Sequence, residues 1–173
     1  MPNFNAIKSL KYLIVIFSVL AFIPAYSAEE GQRAPEFQAK LFSGEKFSLA
    51  ANLGQVVILH FWASWCESCQ VEMPILDNYY QQHRAEGLKI VAVSMDSPKD
   101  ETKARDVMKK YSFSGATLAK DASFKSYGRI WRIPLTFVID RKGVLRKDGW
   151  PLDKPMAITD LEHVVTPLLK AKP

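Results

Sequence analysis

Phe61-Trp62-Ala63-Ser64-Trp65-Cys66-Glu67-Ser68-Cys69 closes an apolar run and opens a helical pattern, and its cysteines are the only two in the 173-residue chain. Cys66 and Cys69 stand three apart, so a single turn of helix carries both sulfurs to the same end of one helix. That is the arrangement needed to make and break one disulfide. Upstream, Gln55 to Trp62 is nearly continuous apolar sequence and reads as a central strand buried on both faces. His60 is the one polar residue inside it.

Downstream, the pattern predicts a helix from about Cys66 to Arg84, stopped by Gly87 and kinked at Pro74. Leu88 to Ser94 is the next strand. Ser97-Pro98 then opens a helix, with a capping hydroxyl and Pro at the first position. Val107, Met108 and Tyr111 form its apolar face, and Lys103, Arg105, Lys109 and Lys110 a solvated one. Thr117 to Ala119 reads as a short strand and Asp121 to Tyr127 as a short helix stopped by Gly128. Leu135 to Ile139 is a strand, turned by Arg141-Lys142-Gly143 into Val144 to Lys147. From about Thr159 the chain is helical, with Leu161, Val164, Val165, Leu168 and Leu169 inward and Pro167 breaking or bending it.

Ahead of the motif, Glu36 to Leu41 and Lys46 to Leu49 flank a Ser43-Gly44 turn, a β-hairpin. Ser48 caps a brief turn through Leu53. The order of elements is that of an α/β sandwich, with the motif just past the carboxyl end of a central strand, where sites collect in such folds.

Composition narrows the function. With 48% hydrophobic and 12% aromatic residues, a single domain of this length buries a core without a disulfide framework. The formal charge is +5. Lys8 and Lys11 precede an apolar run from Tyr12 to Ile23, closed by Pro24 and the small residues Ala25, Ser27 and Ala28. These are the parts of a signal peptide, expected over residues 1–28. Cleavage after Ser27, with Ala25 at minus three, is the better match. An uncleaved membrane anchor is the alternative, although about a dozen apolar residues fall short of the ~20 a spanning helix needs. The remaining domain, 34–173, is mildly basic with its cations dispersed, which argues against nucleic acid. Export puts the cysteines in a compartment where disulfide chemistry is ordinary.

At a helix N-terminus the unpaired N–H groups favour the thiolate, which is the reactive form. Cys66 is therefore expected to be the exposed nucleophile and Cys69, one turn in, the more buried resolving thiol. A haem site needs His after the second cysteine, and Gln70 stands there. A zinc site needs two more ligands, and His60, His83 and His163 have no metal-like spacing. A structural disulfide closing so small a loop adds little stability.

The motif resembles the thioredoxin superfamily. Ser48-Leu49-Ala50, Glu72-Met73-Pro74 and Ile133-Pro134-Leu135-Thr136-Phe137-Val138-Ile139-Asp140 are similar to its exported TlpA/ResA/DsbE-like branch, over about Ala34 to the C-terminus. The resemblance implies a thioredoxin-like α/β fold: a central mixed sheet flanked by helices, an N-terminal β-hairpin and a central strand–helix insertion. It implies a cis Ile133–Pro134 bond beside the cysteines, exposing the backbone of Ile133 to a substrate segment. It also implies that Glu72 tunes the cysteines' protonation, acting as a base toward Cys69.

His60 is a departure from relatives with aspartate or asparagine at that place, and is either a neutral hydrogen-bonded residue or a titrating one that shifts the reduction potential. Glu67 opposes an adjacent thiolate, which points to a reducing pair. Trp65 faces substrate, while Trp62 and Trp131 are core or rim aromatics, and Arg129 and Arg132 are solvated charges or, alternatively, line a docking surface near Pro134. The function expected is an exported, periplasmic, monomeric reductase of protein disulfides with no cofactor. The resemblance further implies a membrane thiol-transfer protein as electron donor, and cytochrome c maturation or copper-site assembly as the setting. The alternatives are an oxidase or isomerase of protein disulfides, and a Cu(I)-binding assembly protein using the two cysteines.

Overall fold

A computed structural model describes residues 28–117, 126–128, 130, 132–149 and 156–171. Among these residues seven strands form one mixed sheet: β1 (Gln38–Leu41), β2 (Lys46–Ser48), β3 (Val56–Trp62), β4 (Leu88–Ser94), β5 (Ser114–Thr117), β6 (Leu135–Ile139) and β7 (Leu145–Asp148). Among the described residues three α-helices accompany them: α1 (Glu67–His83), α2 (Glu101–Met108) and α3 (Ile158–Lys170). The strand order is β2-β1-β5-β4-β3-β6-β7. β3 and β5 pair parallel with β4, and the other pairings are antiparallel. This is the thioredoxin-like architecture, with the hairpin β1–β2 at one edge and the α2–β5 segment inserted between it and the centre.

β3 is central because it can afford no water: all seven of its residues are buried. Its alternation divides the core in two. Val56, Ile58 and Trp62 face the side on which Met73 and Leu76 of α1, Ala104 and Met108 of α2 and Leu161, Val165 and Leu169 of α3 pack. Val57, Leu59 and Phe61 face the other side, where Phe37, Phe47 and Tyr127 close over them. There the Phe37, Phe61, Phe137 and Tyr127 rings meet edge to face at 5.0–6.0 Å between centroids, the geometry the aromatic quadrupole favours.

The register of β3 also positions the site. Its last residue, Trp62, pairs with Ser94 at the end of β4, and four residues later Cys66 caps α1. α1 runs through Pro74 as one helix, and Gly87 ends the following 3-10 turn at φ 89°. A Cβ on Gly87 would lie 2.9 Å from the Arg141 guanidinium. That guanidinium donates to the carbonyls of Gly54, Glu86 and Leu169 at 2.6–2.8 Å, tying three segments together at the end of the sheet opposite the cysteines.

Several sequence expectations are corrected. Ser97 does not cap α2. Its hydroxyl donates to Asp100 Oδ2 at 2.6 Å, and a 3-10 turn over Pro98–Asp100 precedes the helix. Arg105 is not merely solvated: it pairs with Glu101 at 2.6 Å, donates to the Phe42 carbonyl and lies 4.5 Å from the Phe42 ring centroid. The short strand falls at Ser114–Thr117, earlier than expected, because pairing with both β1 and β4 selects it.

Pro167 does not break α3, which continues to Lys170. Pro167 and His163, whose carbonyl loses its usual N–H partner, are both exposed, so water can serve that carbonyl. The Ser48 turn is served by a second group: the Glu36 carboxylate accepts from Ser48 Oγ at 2.8 Å and Ala50 N at 3.0 Å. Residues 1–27 of the expected signal segment, Ala119, most of the 121–127 helix, Arg129 and Trp131 lie outside the described residues. Among the described residues no helix is long and apolar enough to cross a membrane.

Candidate active site

Cys66 and Cys69 are joined in a disulfide, with their Cα atoms 5.3 Å apart. Cys66 is the N-cap of α1, in extended conformation, and its Sγ accepts the backbone N–H of Cys69 at 3.2 Å. The Ser68 hydroxyl lies 3.5 Å from the same sulfur. The sulfur therefore takes the place of a capping oxygen at the positive end of the helix dipole, where a thiolate is stabilised once the bond opens. Cys66 is 6% exposed and Cys69 0%. Cys69 is the more buried of the two, but Cys66 is not exposed as expected, because both cysteines belong to the apolar layer between β3 and α1.

His60 lies on the helix-facing side of β3, in register with Thr136 on β6. It is wholly buried. Its Nδ1 is 2.8 Å from Thr136 Oγ1, and Nε2 has no partner among the described residues. Burial pushes its pKa down to about 3, because removing the ring from water penalises its charged form. Of the two expectations for His60, the neutral hydrogen-bonded one fits this environment.

Glu72, one turn beyond Cys69, is also buried. Its Oε1 accepts the Met156 N–H at 3.0 Å, which ties α1 to the segment entering α3. Burial raises its pKa. The Met156 hydrogen bond opposes that shift, and the negative charge of Asp160 adds to it. Glu67 is exposed in the first turn of α1.

The Ile133–Pro134 peptide is cis. β6 begins one residue later, with Leu135 opposite Phe61. Pro134 and Ile133 therefore directly precede the end of β6 that pairs with Phe61, next to Trp62 at the end of β3. Ile133 is half-buried and packs against both core layers. Trp65 stands out at 67% exposure immediately before the cysteine cap. Arg132 is exposed. Among the described residues, no group of three or more His, Cys, Asp and Glu side chains is placed to hold a metal ion.

Sequence reasoning singled out His60 and Glu72 but not their partners Thr136 and Met156. Thr136 was a polar residue in an apolar strand, the same signal that singled out His60. Met156 contributes a backbone N–H, which no side-chain pattern announces.

Comparison with known proteins agrees with the geometry. The model of the AhpC/TSA family matches residues 30–148. The chain is 35% identical over 119 residues to the thioredoxin-like protein YneN of Bacillus subtilis, covering 68% of this chain and 69% of that one. It is 34% identical over 146 residues to sporulation thiol-disulfide oxidoreductase A of the same organism, covering 81% and 87%. Among solved structures, a DsbE-type thiol:disulfide interchange protein from Chlorobium tepidum superposes with a TM-score of 0.69 at 28% identity, over 83% of this chain and 99% of that one.

Proposed function

The chain belongs to the AhpC/TSA family and is a thiol–disulfide oxidoreductase of the DsbE-like kind, and on that premise we propose that it reduces specific protein disulfides through Cys66 and Cys69. The observation that carries this reading is the disulfide at the N-cap of α1, with Cys66 Sγ accepting the Cys69 N–H. In the reduced protein, the Cys66 thiolate attacks one sulfur of a substrate disulfide. A Cys66–substrate bond forms, and the other substrate sulfur leaves and takes up a proton. Cys69 then gives up its proton and attacks Cys66 Sγ, which releases the second substrate thiolate and closes the Cys66–Cys69 bond. Two electrons pass to the substrate, and the protein is left in the form described here.

Glu72 is the proton acceptor for Cys69 in this reading. Its burial supports the role, since a carboxyl whose pKa burial raises holds a proton more readily. Ile133 and Pro134 border the face on which the substrate segment lies, beside Trp65. His60 tunes the pair as a neutral neighbour under the helix. Glu67 works against the thiolate of Cys66 and keeps the couple reducing.

The segment 1–28 is read as a signal peptide, cleaved or retained as an anchor, and 34–173 as the catalytic domain acting as a monomer in the periplasm. A membrane thiol-transfer protein returns the electrons, and maturation of cytochrome c or of a copper site is the setting. The reduction potential of the Cys66–Cys69 couple tests the direction of electron flow. A value nearer thioredoxin's ~−270 mV than DsbA's ~−120 mV is expected. A value near the latter overturns the reductase reading in favour of an oxidase.

A further inference from the structure

We infer that Asp96 is a positioning residue for this site: its carboxylate latches the turn ahead of the nucleophile to the end of β4, and so sets how Trp65 and Cys66 meet a protein substrate. This rests on the reading that Cys66 acts on protein disulfides.

The latch is built from two short segments. Asp96 stands two residues beyond Ser94, the last residue of β4, and Ser64 two residues before Cys66. Asp96 Oδ1 accepts the Ser64 hydroxyl at 2.6 Å, and Oδ2 accepts the Ser64 backbone N–H at 2.9 Å. Ser94 Oγ donates to Oδ2 at 2.7 Å and accepts the Asp96 N–H at 3.0 Å, which fixes the carboxylate itself. The remaining polar atom of Ser64, its carbonyl, accepts Gln70 Nε2 from α1 at 2.9 Å. Every hydrogen-bonding group of Ser64 is thus held, two of them by one carboxylate, and hydrogen bonds to an ionised acceptor are the stronger kind.

Between this anchor and the helix cap stands Trp65, a large ring kept 67% exposed. A free turn would let that ring fold back and bury apolar surface. The latch denies it that freedom and presents the ring beside Cys66. Asp96 touches neither sulfur nor substrate in this arrangement, and acts through Ser64. The charge matters because both carboxylate oxygens accept. Asparagine offers one accepting oxygen and turns an N–H₂ group toward a donor. A protein disulfide must align its flanking chain with Trp65 and the Ile133–Pro134 segment, whereas a small disulfide needs only access to the sulfur. Loosening the turn therefore penalises the protein substrate selectively.

The test uses the full chain with Asp96→Asn, Ser64→Ala and Ser64→Thr. Reduction of insulin is compared with reduction of dithiodipyridine, and exchange of the Ser64 amide proton is followed by NMR. Asp96→Asn is expected to lower kcat/KM for insulin by about 10-fold or more, mainly through KM, and to lower it for dithiodipyridine by less than about 3-fold. Ser64→Thr, which keeps the hydroxyl, stays near the parent, and Ser64→Ala falls between. Exchange of the Ser64 amide accelerates in Asp96→Asn while amides of β3 hold. Equal proportional losses on both substrates, or an unchanged Ser64 amide, overturn the inference. If the parent reduces neither insulin nor dithiodipyridine, the functional reading fails, and the amide exchange alone decides whether the latch exists.

Discussion

His60 and Thr136 face each other across β3 and β6 with Nδ1 and Oγ1 2.8 Å apart, on the sheet face that carries the cysteine helix. The pair puts a hydrogen-bonded but uncharged imidazole where burial penalises a charge.

That arrangement makes His60 an acid-sensitive element of the fold. Its pKa falls from 6.5 in the unfolded chain to about 3 in the folded one. Between those values the unfolded state binds a proton that the folded state refuses. Stability at this position is therefore whole above pH 6.5 and is lost as pH falls toward 3. The loss over that window is on the order of 3–5 kcal/mol. Urea unfolding of the parent and His60→Asn from pH 7 to pH 3.5 is expected to show a shallower pH slope in the variant, by about one proton. Equal slopes would mean that His60 is reached by water. The same variant with an unchanged reduction potential would remove its tuning role.

Glu72 behaves in the opposite sense. Burial raises its carboxyl pKa above the ordinary 4.5. Its contribution to stability is whole below pH 4.5 and is lost as pH rises through the folded value. Glu72→Gln keeps an oxygen for the Met156 N–H and buries no charge. It is expected to melt about 2–4 °C higher than the parent at pH 7, with the gap closing below pH 4.5. Turnover on protein disulfides is expected to drop ~10²-fold, as for loss of a general base. A variant that gains stability and keeps full turnover assigns Glu72 to structure alone.

The two cysteines are expected to fail differently. Cys66→Ser loses the nucleophile and lowers turnover by ~10³-fold or more. Cys69→Ser still attacks but cannot resolve, so a covalent adduct with the substrate accumulates and is released by dithiothreitol. Non-reducing electrophoresis followed by mass spectrometry reads the adduct. An adduct on Cys69 in Cys66→Ser, and none on Cys66 in the converse variant, would exchange the two roles.

Gly115 reports on the inserted segment. It is buried in β5, and a Cβ there would lie 2.6 Å from a Phe42 ring carbon and 2.8 Å from Met108 Cγ. Gly115→Ala is expected to cost about 1–3 kcal/mol by overpacking, read as a lowered urea midpoint with an unchanged slope. Because β5 lies two strands from β3, the potential of the cysteine couple should stay at the parent value.

Much of this protein was legible without coordinates because its strongest signals are local. The apolar run of β3, the boundaries of β4 and β6 and the three-residue cysteine spacing all follow from periodicities within a few residues. Burial then enforces them, since β3 is closed on both faces. Resemblance added Pro134 and Glu72. Pairings between distant segments were not legible. His60 meets Thr136 across 76 residues, Glu72 meets the Met156 amide across 84, and Asp96 meets Ser64 across 32. Sequence alone determined that two sulfurs share one helix end behind a buried strand, because covalent spacing and helix geometry require it. Tertiary structure alone decided which polar groups are buried near them and which way their protonation is biased, because strand register and packing choose each buried polar group's partner, and that partner and the depth of burial set the direction.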